Sequence, residues 1–233
     1  MTGPLLAQHA AGRVGHVIDI VASGVLFDMD GTLVDSTSVV EGAWGRFGAT
    51  HGIDPRTILA FSHGRQTIDT VQHFLPDLAP DEQHRLAQEL VADEVENTHG
   101  IVEVPGAAAF VRRLVDAGVP VALVTSAPRD LALNRMRAAG VPVPDAIVTS
   151  EDTERGKPHP ECYLRGAELL GLSADQCLAF EDAPAGVESA RASGATTVVV
   201  GPLESTVTEG LARVHGFDGV EVTAEGAAFR IRG

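Results

Sequence analysis

Two aspartates, Asp28 and Asp30, stand two positions apart directly after a short apolar run, and Gly31 follows them. A glycine at this point permits the tight turn that lets both side chains reach one pocket. Like charges this close remain ionised at low cost only when a cation joins them. The segment therefore favours a functional pocket with a bound cation over a turn whose carboxylates are merely solvated.

Three further polar segments follow predicted strands or lie in a loop beyond them: Thr125 with Ser126, Lys157, and Glu181 with Asp182. Hydroxyls backed by free amides at the start of a helix suit an anionic oxygen. Lys157 is the only lysine of the chain, and its compact ammonium differs from the planar guanidinium of the arginines. Because the carboxyl ends of parallel strands share one edge of a sheet, we predict that all four segments meet in one site.

The elements that must position these residues alternate along the chain. Five apolar runs predict the strands of a parallel sheet at 24–27, 119–124, 146–148, 177–180 and 196–200. Helical spacing of apolar residues predicts helices at 107–117, 130–139, 160–170 and 184–192. Strands that alternate with helices of roughly ten residues indicate an α/β fold, with a parallel sheet and helices on both faces.

A stretch without a convincing strand, residues 37–103, interrupts this alternation. Helical pieces at 39–50, 67–75 and 81–97 predict a small all-helical insert. The insert leaves from the ligand-binding edge of the sheet, so we expect it to act as a lid or cap. The core is accordingly assigned to residues 23–36 and 104–233, and residues 1–22 to a loose N-terminal extension.

The formal charge of −15, from 17 basic and 32 acidic residues, argues against binding to nucleic acid or to anionic membranes. No apolar run approaches the roughly 18–20 residues of a membrane span. Two cysteines, Cys162 and Cys177, are too few for a disulfide framework and are expected to be reduced. With no secretory signal pattern, this predicts a cytoplasmic protein, and we expect a monomer or a weak dimer.

Four segments together resemble the motifs of the haloacid dehalogenase superfamily: DMDGTLVDS, VTSAPRD, GKPHPECYLRGAELLG and FEDAPAGVESARASG. The place of the insert resembles the subgroup with a helical cap between the first and second motifs. GKPHPE and FEDAPAG, with HGRQTID in the insert, are similar to its phosphatases of small sugar and polyol phosphates, including glycerol-phosphate and 2-deoxyglucose-6-phosphate phosphatases. The resemblance covers residues 24–201 and implies a three-layer, Rossmann-like α/β core, bound Mg²⁺ and a small phosphorylated metabolite as substrate.

The resemblance also implies a role for each residue that would contact the phosphoryl group. Asp28 would attack phosphorus in line and form an aspartyl-phosphate. Asp30 would protonate the leaving alkoxide and then deprotonate the hydrolytic water. Thr125, the amide of Ser126 and Lys157 would hold the phosphoryl oxygens.

The metal site implied by the resemblance uses oxygen ligands, which Mg²⁺ prefers. The ion would bind to the Asp28 carboxylate, the Asp30 backbone carbonyl and the Asp182 carboxylate. Glu181 would lie behind these ligands without contacting the metal. Phosphoryl transfer depends mainly on such positioning and charge stabilisation.

Substrate selectivity is predicted to arise in the insert. His63 and Arg65 stand in a loop before a helix and are candidates to face the site. Glu41 is a candidate for contacts with substrate hydroxyls. The phosphatases of the resemblance often place their cap arginine one position later, where this chain has Gln66, so the exact sugar or polyol stays open.

Several alternatives share this fold. A sugar phosphomutase such as β-phosphoglucomutase has the same nucleophile and a tryptophan that matches Trp44, but it carries a cap histidine where this chain has Val40. Dehalogenation is disfavoured by Asp30, because its leaving group needs no proton. Phosphonate hydrolysis is disfavoured because the insert contains no lysine. A non-catalytic sugar-phosphate sensor is the alternative from a different functional class.

Overall fold

The structure of the chain is a computed structural model that describes residues 18–233. Its central parallel sheet contains the strands β2 (Gly24–Phe27), β5 (Val121–Val124), β6 (Ala146–Val148), β7 (Cys177–Glu181), β8 (Thr196–Val200) and β9 (Ala212–Val214). The strand order is β6-β5-β2-β7-β8-β9, which places β2 between β5 and β7. The five predicted strands are confirmed, and β9 was missed because Arg213 at its centre interrupts the apolar run that marks the other strands.

Four helices cover the two faces of this sheet: α5 (Ala107–Asp116), α6 (Arg129–Ala139), α7 (Glu161–Leu169) and α8 (Pro184–Ser193). Successive residues of a strand point to opposite faces. Phe27 accordingly joins the cluster that contains Phe110 of α5, whereas Leu26 joins the cluster that contains Tyr163 of α7. The predicted α/β architecture with helices on both faces is therefore confirmed, and the ends of these four helices differ from the prediction by at most one residue.

Four helices make up the insert: α1 (Thr37–His51), α2 (Pro55–Ser62), α3 (Thr67–Phe74) and α4 (Pro80–Glu96). They enclose a small apolar cluster of their own that includes Trp44, Phe47 and Ile58. Helix α2 was not predicted, because Asp54 and Pro55 resemble a separator. In the structure they start the helix: the Asp54 carboxylate accepts a hydrogen bond from the Arg56 amide, and Pro55 occupies the first turn.

Two short strands, β3 (Val34–Asp35) and β4 (Val102–Glu103), pair antiparallel and bring the two ends of the insert together. This pairing fixes where the insert leaves and rejoins the core. No helix of the described residues has the length and apolar character needed to cross a membrane. Cys162 and Cys177 are buried free thiols, as predicted.

A second, antiparallel sheet joins the two ends of the described chain. Strand β1 (Asp19–Ala22) pairs with β11 (Ala228–Arg232), which also pairs with β10 (Glu221–Glu225). The prediction of a loose extension through residue 22 is therefore wrong for residues 19–22, and residues 1–17 lie outside the described part. The physical reason is that this segment finds its hydrogen-bond partner at the far end of the chain, which no local pattern indicates.

Candidate active site

A cavity of about 120 Å³ lies where the central strands end, between the core and the insert. The core side is lined by Asp28, Asp30, Gly31, Thr125, Ser126, Arg135 and Asp182, and the insert side by residues that include Val40, Trp44, Ser62, His63, Arg65 and Glu94. Lys157 and Glu181 lie directly behind the core wall, fully buried. The structure thus brings the four polar segments of the sequence into one place.

Asp28 stands directly after β2, and its amide donates to the Phe180 carbonyl at 3.1 Å, which anchors it to the end of β7. Its carboxylate is buried, and Oδ1 accepts a hydrogen bond from Lys157 Nζ at 2.6 Å. Burial raises the pKa of Asp28 to about 7; the charge of Glu181 adds to the increase and that of Lys157 opposes it. The site therefore holds more negative charge than its one buried lysine offsets.

The Lys157 ammonium is 1% exposed and uses all three of its donors inside the protein. Nζ donates to Asp28 Oδ1, to Glu181 Oε1 at 2.7 Å and to the Val124 carbonyl at 3.1 Å. Burial opposes its charged form, but the two carboxylates outweigh that effect and raise the pKa of Lys157 above its usual value. A phosphoryl oxygen can therefore bind to Lys157 only in exchange for one of these acceptors.

Glu181 is held by four donors and has no exposed surface. Its Oε1 also accepts from the Tyr163 hydroxyl at 2.8 Å, and Oε2 accepts from the amides of Asp182 at 2.9 Å and Ala183 at 3.2 Å. These bonds fix both carboxylate oxygens. Glu181 thus occupies a supporting position behind Asp28 and Asp182, and Tyr163 is a supporting residue that the sequence did not indicate.

Asp182 has the features expected of a cation ligand. Its Oδ1 is buried and has no hydrogen-bond partner among residues 18–233. Burial, followed by the charges of Asp28 and Glu181, raises the pKa of Asp182 well above its usual value. An unpaired buried carboxylate lowers the stability of the fold, because its charged form loses its hydration without gaining a hydrogen bond or a cation.

The neighbouring groups complete a site that fits a divalent cation. Oxygen atoms of Asp28, Glu181 and Asp182 all lie within 4.8 Å of one another. Gly31 adopts a φ of +81°, and a Cβ at this position would lie 1.9 Å from Asp182 Oδ2. Only glycine leaves room for this carboxylate. A cluster of carboxylate oxygens with one unsatisfied atom suits a hard cation such as Mg²⁺.

The Asp30 carboxylate is fixed at both oxygens. Oδ1 accepts from the Ser36 hydroxyl at 2.6 Å, and Oδ2 accepts from Arg135 Nη1 at 2.8 Å. Neither partner was predicted. Ser36 lies close in sequence, within DMDGTLVDS, and could have been found there, whereas Arg135 lies in α6 within an ordinary helical pattern.

Thr125 and Ser126 lie at the end of β5, as predicted. The Thr125 amide donates to the Val148 carbonyl, and its hydroxyl accepts from the Ala127 amide at 3.1 Å. The Ser126 hydroxyl donates to the Gly64 carbonyl of the insert at 2.8 Å. This bond uses the hydroxyl of Ser126 and ties the core to the insert loop.

The insert residues proposed for substrate contacts divide into two groups. His63 and Arg65 line the cavity, and the Arg65 guanidinium lies over the Phe61 ring at 4.5 Å from its centroid. Glu41 is exposed and does not line this cavity, in contrast to the prediction. The reason is its place on α1, where Val40 and Trp44 occupy the face toward the cavity.

Comparisons with known proteins agree with this geometry. Residues 22–194 match the family model of haloacid dehalogenase-like hydrolases. Hexitol phosphatase A of Escherichia coli (strain K12) is 44% identical over 177 residues, which cover 76% of this chain and 82% of that protein. Glycerol-1-phosphate phosphohydrolase 2 of Saccharomyces cerevisiae is 33% identical over 189 residues, 76% of this chain and 74% of that protein.

Among solved structures, a β-phosphoglucomutase from Clostridium difficile is similar with a TM-score of 0.75. The match covers 84% of this chain and 91% of that one, at 21% identity. At this identity the likeness shows the shared fold alone.

Proposed function

This chain belongs to the haloacid dehalogenase-like hydrolases, and we propose that it is a Mg²⁺-dependent phosphatase of small sugar or polyol phosphates. The observation that carries the proposal is the arrangement of Asp28, Asp30 and Asp182 around one cavity at the end of the sheet. Its relatives Hexitol phosphatase A and Glycerol-1-phosphate phosphohydrolase 2 support the substrate class. The helical insert acts as the cap of this site.

The reaction runs in two half-reactions. In the first, the Asp28 carboxylate attacks phosphorus, the bond from phosphorus to the ester oxygen breaks, and Asp30 gives its proton to the leaving alkoxide. In the second, Asp30 takes a proton from water, whose oxygen attacks phosphorus and releases inorganic phosphate. The bond between Asp28 and phosphorus breaks, and the carboxylate is regenerated.

The remaining residues position the reacting groups. Asp28, Asp182 and the carbonyl of Asp30 would hold Mg²⁺. When bound, the ion would offset the negative charges of the carboxylates and of the phosphoryl oxygens. Thr125 and the Ser126 amide receive the phosphoryl oxygens at the end of β5. Such positioning supplies most of the catalysis in phosphoryl transfer.

Hydrolysis is favoured over transfer between sugar hydroxyls by one position in the insert. Val40 lines the cavity where the phosphomutase of the resemblance carries a histidine. An isopropyl group cannot take a proton from a sugar hydroxyl. Water is therefore the acceptor that this site activates, through Asp30.

The test is a screen of the purified protein against a panel of sugar and polyol phosphates, with phosphate release as the readout. We expect turnover with Mg²⁺, and no turnover for Asp28→Asn, which preserves the shape of the side chain but removes the nucleophile. Undiminished hydrolysis by Asp28→Asn, or full activity in excess chelator, would contradict the proposal. Binding of sugar phosphates without any phosphate release would indicate a sensor instead.

A further inference from the structure

Building on the proposed phosphatase function, we propose that Arg135 is a positioning residue that orients Asp30, and that Glu94 of the insert holds Arg135 in place. Proton transfer would then depend on how the insert is seated on the core. Neither Arg135 nor Glu94 belongs to the four sequence segments that indicate the site.

The Arg135 guanidinium bridges the boundary between core and insert. It belongs to α6 of the core and is 3% exposed. Its Nη1 lies 2.8 Å from Asp30 Oδ2, and its Nη2 lies 3.3 Å from Oε1 of Glu94 in α4. A planar guanidinium can face two carboxylates at once, which a lysine ammonium in the same place does less well.

Glu94 is an unusual residue for its position on the insert, because its side chain is buried. Burial raises the pKa of Glu94, and Arg135 opposes that increase. Other ion pairs of α4, such as Arg85 with Glu89, are exposed and of the kind that contributes little. A buried carboxylate is retained at this cavity only together with its arginine, since breaking such a pair leaves an uncompensated charge.

Arg135 also has hydrogen-bond donors that are not used in this arrangement. Its Nε and Nη2 are buried without a hydrogen-bond partner among the described residues. Nη2 faces Glu94 within ion-pair distance, so a closer approach of α4 to α6 would complete a hydrogen bond there. A second contact, from Asn134 Nδ2 to the Val95 carbonyl at 3.4 Å, lies at the same boundary. Seating of the insert and orientation of Asp30 therefore favour each other.

Loss of Arg135 removes one of the two contacts that fix Asp30 and leaves only Ser36. General acid–base catalysis requires the carboxyl group within hydrogen-bond reach of the proton that it moves. A displacement of about 1 Å in such a group costs about 10²-fold in rate. Substrate binding through the metal and the phosphate contacts does not pass through Arg135, so KM should change much less than kcat.

The experiment compares Arg135→Ala, Arg135→Lys and Glu94→Gln with the wild type. The matched controls are Arg137→Ala and Glu96→Gln, which alter exposed residues of the same two helices. Each variant is measured with a polyol phosphate that the wild type hydrolyses and with p-nitrophenyl phosphate, whose leaving group needs no proton. We expect Arg135→Ala to slow the first half-reaction, measured as leaving-group release in a single turnover, about 10²-fold for the polyol phosphate and less for the aryl ester. The second half-reaction, in which Asp30 activates water, should slow equally for both substrates. Glu94→Gln should show the same pattern more weakly, and both controls should match the wild type.

Adding guanidinium ion to Arg135→Ala distinguishes a positioning role from a structural one, because a side chain that only supports the fold is not replaced by a small ion in solution. We expect it to restore part of kcat, whereas ammonium should not. Equal losses on both substrates in the first half-reaction, or no rescue together with a lowered melting temperature, would mean that Arg135 only supports the fold. If Arg135→Ala does not fold, the inference is tested instead by the substrate dependence of the losses in Arg135→Lys and Glu94→Gln. An inactive wild type overturns the proposed function and this inference together, whereas full activity of the Arg135 variants overturns the inference alone.

Discussion

The two walls of the cavity are built in different ways. On the core side, buried groups hold one another at several atoms, as Glu181 shows with its four donors. On the insert side, Glu94 is buried beside Arg135. The loop that carries the other polar groups is less constrained: His63 is exposed, and Arg65 lies over the Phe61 ring. Under the proposed function, the core wall would serve steps that every phosphate monoester shares, so its geometry can be fixed. The insert wall would face the part of the substrate that differs, and loops accommodate such differences.

Replacing Lys157 should produce the largest effect on stability and activity, because it removes the cation that holds the buried carboxylates of the core wall together. Lys157→Met leaves two buried carboxylates without their shared cation, which we expect to cost about 3–5 kcal/mol in the free energy of unfolding. Activity should fall to background. Denaturant unfolding and phosphate release measure the two effects. Arg65→Met on the insert wall is the matched comparison, and we expect it to change the unfolding free energy by less than about 1 kcal/mol. Equal stability losses in the two variants would contradict the difference between the walls.

Two glycine substitutions sharpen the same comparison. Gly31→Ala forces an L residue into the left-handed region and places its Cβ against Asp182. We expect the concentration of Mg²⁺ needed for half-maximal activity to rise roughly 10–100-fold, as when other groups supporting a metal ligand are lost. Gly45→Ala in α1 meets nothing within 4 Å and should stabilise the insert by about 0.5–1 kcal/mol. A normal metal requirement in Gly31→Ala would show that Asp182 is not a ligand.

The metal-free core should lose stability as pH rises, and Mg²⁺ should restore it. The pKa of Asp28 rises from 3.8 to about 7 in the folded protein, and that of Asp182 rises as well. The folded state therefore keeps protons that the unfolded state releases, so stability falls between about pH 4 and 7. Because a cation replaces those protons, the rise in melting temperature on adding Mg²⁺ should be larger at about pH 7.5 than at about pH 5.5. An equal rise at both values would argue against a metal site at these carboxylates.

The smallest effect is expected on the insert wall. Arg65→Ala should change the order of kcat/KM among sugar and polyol phosphates more than it changes hydrolysis of an aryl phosphate. The reason is that Arg65 lines the insert side of the cavity. Glu41→Ala is the control, and its kinetics should equal those of the wild type, because Glu41 is exposed outside the cavity lining. A uniform loss on all substrates would assign Arg65 to the phosphate or to the fold.

Local sequence was most informative where spacing and chemistry coincide. Asp28, Thr125 and Asp182 each follow an apolar run, and parallel strands bring such positions together. The insert was recognisable by the absence of strands between the first two segments. The position of Glu41 outside the cavity lining was not foreseeable, because helical spacing alone does not tell which side of α1 faces the core. The full burial of Lys157 was not foreseeable either, since its segment resembles an exposed loop.

The sequence by itself determined the alternation of strands and helices in the core from β2 to β8, the residue types of the chemistry and their place at the strand ends. These features depend on side-chain period and on turns of a few residues, so neighbouring positions specify them. Only the tertiary structure decided that β1 pairs with β11 and that Arg135 joins Asp30 to Glu94. In both cases the interacting groups are far apart in sequence, and ordinary local patterns surround them. Their contacts arise from how the sheet, the helices and the insert pack in three dimensions.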